Sequence, residues 1–318
     1  MTIFWIAVGL VCLAVGGDAL VRGSVALARR LGVSPLLIGL TLVGFGTSTP
    51  ELTTSLAAAF AGSPGVAVGN VVGSNIANIL LILGVTALVA AVPAARAALW
   101  RDGTALAVAS LAALAAVLSG HLGRLTGAAL VALLAAYLIY TIRRERRVSD
   151  AAAALHRAEP AIVEPGPRAT WLAALMTLGG LVLIMLGARL LVASAIELAA
   201  AAGVSETVVG LTLVALGTSL PELVASIIAA VRRQTDLALG NIFGSNLFNI
   251  LGILGATALV HPIPVPPQIA QVDIWVMLGA TAALLLFAVT GGGLSRREGA
   301  ALLAVYAAYI GWMAVQAA

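Results

Sequence analysis

Gly39–Ser55 reads GLTLVGFGTSTPELTTS and Gly210–Ser226 reads GLTLVALGTSLPELVAS, with 12 of 17 positions identical. A second pair follows: Gly69–Gly84, GNVVGSNIANILLILG, and Gly240–Gly255, GNIFGSNLFNILGILG, agree at 11 of 16 positions. One offset of 171 residues relates both pairs without a gap, so the chain is two copies of one unit. Each copy sets glycines, a proline and a glutamate inside an otherwise apolar run. That combination decides the fold.

The surrounding composition fixes the solvent. Of 318 residues, 61% are hydrophobic and only 9% charged, against roughly 25% charged in soluble domains. Stretches such as 125–142, 169–188, 237–260, 274–295 and 299–318 are long enough to cross a hydrocarbon core of about 30 Å as helix. Ten spans are expected, at about 3–28, 35–60, 65–91, 102–119, 124–142, 169–198, 205–231, 237–260, 272–294 and 297–317. The fold class is all-α and polytopic. Residues 1–142 and 169–318 form two five-helix halves, joined by a polar linker at 143–168.

Charge then orients the chain. All 17 basic residues are arginines, and 14 of them fall on the face that also holds the linker. The positive-inside rule makes that face cytoplasmic and puts both termini outside. The arginines lie between apolar spans, so they mark topology and not a nucleic-acid partner. A single cysteine, Cys12, leaves no disulfide framework or structural zinc site within the chain. Five spans, an odd number, separate the copies, so the second half enters the membrane upside down. Inverted repeats of this kind place a transport site near the midplane, between discontinuous helices. The expected address is the inner (plasma) membrane of a prokaryote, with the lipid bilayer as surroundings and no obligate protein partner.

Within each copy the helix should break. Gly44, Gly46 and Pro50 cluster halfway along the second span, and Gly217 and Pro221 do so in the seventh. Proline lacks the N–H that an internal helical turn needs, and loosened backbone at this depth survives only where buried or lining a polar cavity. A plain proline kink would account for that much, but Glu51 and Glu222 directly follow those prolines at equivalent positions. An ionised carboxylate in a bilayer costs about 3 kcal/mol or more. Two such costs at symmetric positions imply a ligand. The alternative is ion pairing with Arg22 or Arg189, although Asp18, four residues before Arg22, is the more natural partner of that arginine.

The other polar groups nearby are oxygen donors. Thr47, Ser48, Thr218 and Ser219 flank the breaks, and Ser74, Asn75 and Asn78 recur as Ser245, Asn246 and Asn249. The four-residue step from Ser74 to Asn78, and from Ser245 to Asn249, keeps hydroxyl and amide on one helix face. No His or Cys cluster joins them. Such a set suits hard ions (calcium, magnesium or sodium) over zinc or copper.

GTSTPE at Gly46–Glu51 and GTSLPE at Gly217–Glu222, each followed by GSNxxN, resemble the two α-repeats of the cation/calcium exchanger superfamily, and most closely its prokaryotic sodium/calcium antiporters. The resemblance implies an antiporter that exchanges calcium for sodium by alternating access, with the ions as cargo and no cofactor. It implies that Glu51 and Glu222 bind calcium, helped by the backbone carbonyls of Thr47 and Thr218. It implies that Ser48, Ser74, Ser219 and Ser245, with the carbonyls of Gly44 and Ala215, line flanking sodium sites. Asn78 and Asn249 match the central polar pair. Some relatives carry aspartate at the second of these, so this chain has two central carboxylates where they have three. A proton/calcium antiporter is the nearest alternative; a cation channel and an integral membrane enzyme are alternatives of other classes. An enzyme would need a base near its substrate, and His121, His156 and His261 all fall in predicted loops.

Overall fold

The computed structural model describes residues 2–94, 96, 99–155, 169–201 and 215–317. In chain order the helices are α1 (Thr2–Leu31), α2 (Pro35–Thr47), α3 (Thr49–Phe60), α4 (Pro64–Val89), α5 (Leu99–Leu118), α6 (Arg124–Leu155) and α7 (Thr170–Ala201). They continue as α8 (Ala215–Thr218), α9 (Leu220–Val231), α10 (Thr235–Val260), α11 (Ile269–Gly291) and α12 (Arg296–Ala317). Eight of the described helices contain segments long and apolar enough to cross a membrane; α2 and α9 are shorter apolar helices. The chain is a polytopic helical membrane protein. Residues 202–214, which include the start (205–214) of the predicted seventh span, lie outside the described residues, as do Arg157 and Arg168.

The predicted breaks are present. At Ser48 the backbone leaves helical geometry (φ −83°, ψ 9°), and Ser219 repeats it at φ −88°, ψ 4°. Pro50 and Pro221 then sit in the first turn of α3 and α9, where a missing N–H costs no hydrogen bond. The prolines therefore start new helices; they do not kink old ones. The polar linker is expected at 143–168, and α6 runs into it as far as Leu155. Arginine and alanine are good helix formers, and the next proline is Pro160. Charge ends the membrane span there, not the helix.

Glycines set the closest approaches. On α1, a Cβ at Gly16 would lie 2.9 Å from the Gly180 carbonyl oxygen, and on α7 one at Gly187 would lie 2.8 Å from that of Gly9. Rising numbers on α1 meet falling numbers on α7, so the pair is antiparallel, held by the small-residue packing that lets membrane helices touch backbone to backbone. At the centre, Gly244 of α10 meets the Leu40 carbonyl of α2 so closely that a Cβ would lie 2.0 Å from its oxygen. Helices α4 and α10 form the interior, with 78% and 83% of their most apolar windows buried against 11% in α12. Large apolar side chains such as Leu111, Val182 and Leu286 point outward.

Two short strand pairs tie the loops. Val92–Pro93 (β1) pairs antiparallel with Gly293–Leu294 (β4), and His121–Leu122 (β2) pairs with Ile263–Pro264 (β3). Helix α5 separates β1 from β2, so the two pairs lie at opposite ends of the bundle. Ser110 and Thr281, 171 residues apart, approach with their hydroxyl oxygens at 3.4 Å. Equivalent positions of the two copies therefore meet.

Candidate functional site

The breaks at Ser48 and Ser219 bring α3 and α9 to the middle of the bundle with a glutamate in each first turn. Glu51 and Glu222 are both fully buried. They are joined crosswise: Ser48 Oγ donates to Glu222 Oε1 at 2.7 Å, and Ser219 Oγ donates to Glu51 Oε1 at 3.4 Å. The hydroxyls of Thr47 and Ser245 also face the Glu222 carboxylate, and the two carboxylates are close enough to repel one another. Among the described residues neither glutamate takes an arginine partner; Arg22 pairs with Asp18 at 3.5 Å, and Asp18 also binds Arg232. Exposed Arg189 lines a cavity of about 410 Å³ beside Pro50, Gly217, Thr218 and Pro221.

The second motif of each copy closes the site from the side, again crosswise. Asn78 opens a π-helical turn, 78–82, that packs against α9; Asn249 lies in another, 248–254, that packs against α3. Such turns recur at functional sites because they re-aim side chains within a helix. Asn75 and Asn246 donate back to their own helices, to the carbonyls of Val71 and Ile242, both at 2.7 Å. Among the described residues, Glu51 Oε2, Glu222 Oε2, the Oδ1 atoms of Asn75 and Asn246, and both amide atoms of Asn78 and Asn249 are buried without a hydrogen-bond partner. Buried polar atoms are almost always paired. The oxygens of this set, two carboxylates among them, fit a hard divalent cation as their ligand.

Most of the sequence-predicted site residues are brought together. Ser245 Oγ donates to the Gly44 carbonyl at 3.2 Å, so these two proposed sodium-site groups share one place. Thr47 donates into the carbonyls of Val43 and Gly44, at 3.0 and 3.3 Å. Ser74 is buried on α4, four residues from Asn78. Ala215 and Thr218 bound the four-residue helix α8 before the second break. Among the described residues no group of three or more His, Cys, Asp or Glu is gathered.

Two participants are absent from the sequence-based set: Asn70 and Asn241, equivalent across the copies, whose amides bond the turns that carry Glu51 and Glu222. The signal was present in GNVVGSN and GNIFGSN, where the first asparagine repeats as faithfully as the second. A polar network at the end of α5 was not foreseen either. Arg101 binds Asp102 at 2.7 and 2.9 Å and Glu145 at 3.0 Å; Tyr137 donates to Asp102 at 2.8 Å, and Ser34 donates to Glu145.

Broken antiparallel helices around a buried, two-carboxylate oxygen cage define a membrane protein of the ion-transporter class. The chain belongs to the sodium/calcium exchanger protein family, matching it over residues 1–143 and 172–315. It is 39% identical to the putative antiporter CaxA of Alkalimonas amylolytica over 97% of each chain, and 34% identical to the sodium/calcium exchanger MaX1 of Methanosarcina acetivorans over 95% of each. Its fold superposes on the sodium-calcium exchanger NCX_Mj, soaked with sodium and strontium, with a TM-score of 0.84 at 31% identity, covering 98% of this chain and 97% of that one.

Proposed function

We propose that this protein is a secondary antiporter that exchanges calcium for sodium at one site shared by Glu51 and Glu222. The observation that carries the reading is the crossed pair of carboxylates, each held by a serine of the opposite copy and each keeping one oxygen unpartnered. Two carboxylates balance the charge of one calcium ion. Thr47 and Thr218 would add backbone carbonyls. Ser48, Ser74, Ser219 and Ser245, with the carbonyls of Gly44 and Ala215, would supply neutral oxygens for monovalent ions, and Asn78 and Asn249 the central amide oxygens. Each ion competes for overlapping oxygens, so occupancy by one displaces the other. No cofactor or catalytic base enters this mechanism, and the protein is a carrier, not an enzyme.

The full architecture in this reading is ten spans in two inverted five-helix repeats, with 1–142 and 169–318 as the halves and 143–168 facing the cytoplasm of a prokaryote. Helical apolar spans suit the inner membrane, since outer membranes take β-barrels. The placement of β1 with β4 and of β2 with β3 at opposite ends agrees with that inversion, because β1 and β3 occupy equivalent places in the two copies. Cysteines introduced at Ser149 and Gln268 should react from opposite sides of sealed vesicles, Ser149 from the cytoplasmic side. Labelling of both from one side would sink the topology.

The substrate assignment is tested by calcium binding to the purified protein in detergent. One calcium per chain should bind, and sodium should displace it competitively. Calcium binding that sodium leaves untouched would remove the shared-site reading.

A further inference from the structure

We propose that Asn70 and Asn241 are positioning residues, whose amides hold the two glutamate-bearing turns at the spacing that calcium requires. The inference rests on the reading of Glu51 and Glu222 as its ligands. Asn70 Nδ2 donates to the Glu51 carbonyl at 3.0 Å and to Ser55 Oγ at 2.9 Å. Asn241 Nδ2 donates to the Glu222 carbonyl at 3.3 Å and to Ser226 Oγ at 2.9 Å. A carboxamide has two N–H donors, and both are spent in each clamp. The two acceptors are four residues apart on α3 or α9, so each amide grips one full turn.

The clamp sits on the helix that carries the side donors. Asn70, Ser74 and Asn78 follow at four-residue steps along α4, as do Asn241, Ser245 and Asn249 along α10, so all three share a face. Fixing the glutamate turn to the first residue of that row fixes its register against the other two. Asn241 reaches further, because its Oδ1 lies 3.3 Å from Thr47 Oγ1, within hydrogen-bond reach. One side chain, 1% exposed, thus touches the Glu222 turn and the Thr47 turn of the opposite copy. Neither asparagine needs to touch the ion; each sets how far apart the ligands stand.

The test is calcium-45 equilibrium binding, with magnesium and strontium competition, on Asn70→Ala and Asn241→Ala. Hydrogen–deuterium exchange of the backbone amides of 222–230 is followed alongside in Asn241→Ala. Calcium affinity should fall about tenfold in each variant, as two hydrogen bonds of modest net worth are lost. The preference for calcium over magnesium should shrink, and exchange in 222–230 should quicken. Lost packing alone would lower stability without moving ion preference. Ser55→Ala and Ser226→Ala remove one acceptor each with little change in volume; they should weaken calcium binding about threefold and keep the proposal testable if an alanine at 70 or 241 fails to fold. Wild-type affinity and ion preference in all folded variants would overturn it. If the wild-type protein itself binds no calcium, the functional reading fails separately, and unchanged exchange in 222–230 of Asn241→Ala would still overturn the clamp.

Discussion

Glu51→Gln and Glu222→Gln should each abolish calcium transport while leaving a folded, membrane-inserted protein. Glutamine keeps the shape and one carbonyl oxygen but removes one of two charges that offset a buried divalent ion. Breaking one partner of a buried charge arrangement costs about 3–5 kcal/mol, so calcium affinity should fall a hundredfold or more. The ion-free protein should not suffer. Glu51 and Glu222 are fully buried, and each keeps one oxygen without a donor, so neutralising either relieves repulsion and desolvation cost. In detergent without calcium, each variant should melt no lower than wild type. Calcium should raise the melting temperature of wild type alone, as a ligand does when it binds only the folded state. Near wild-type transport in either variant would contradict the central site, and a large fall in ion-free stability would make the glutamates structural.

The features legible in the sequence were those that each copy encodes locally. The two PE dipeptides at 50–51 and 221–222 marked both the breaks and the buried acids, because proline and glutamate have few reasons to sit mid-membrane. The row of Ser74 and Asn78 was readable from helical spacing alone. What escaped depends on partners far along the chain. Asn70 meets Glu51, 19 residues away, and its amide reads as ordinary helix packing until that contact is seen. Ser34 and Arg101 converge on Glu145 from 111 and 44 residues away, and Arg101 alone reads as a topological charge. The π-helical turns at 78–82 and 248–254 carry no composition signal of their own. The helical stretch beyond residue 142 carries no hydropathy signal, because charged residues end the apolar span without ending the helix.

In the proposed antiport, obligatory coupling to an opposing ion would follow from the same two carboxylates. A bound cation would compensate their charge and let the site change the side it faces. Without one, two desolvated carboxylates would have to be carried through a rearrangement, at about 3 kcal/mol or more apiece, so the empty carrier should cross slowly and net leak should be suppressed. The donors that flank the glutamates are the neutral hydroxyls of Ser48, Ser219 and Ser245 and the carbonyl of Gly44, which suit a weakly held monovalent ion such as sodium. The direct measurement is calcium-45 uptake into proteoliposomes loaded with sodium and diluted into sodium-free buffer, at constant pH and with a protonophore present. Uptake should rise many-fold over vesicles without the sodium gradient and should vanish in Glu51→Gln and Glu222→Gln. Uptake that ignores sodium and follows an imposed pH gradient would make the protein a proton/calcium antiporter, and uptake that needs no opposing ion at all would make it a channel.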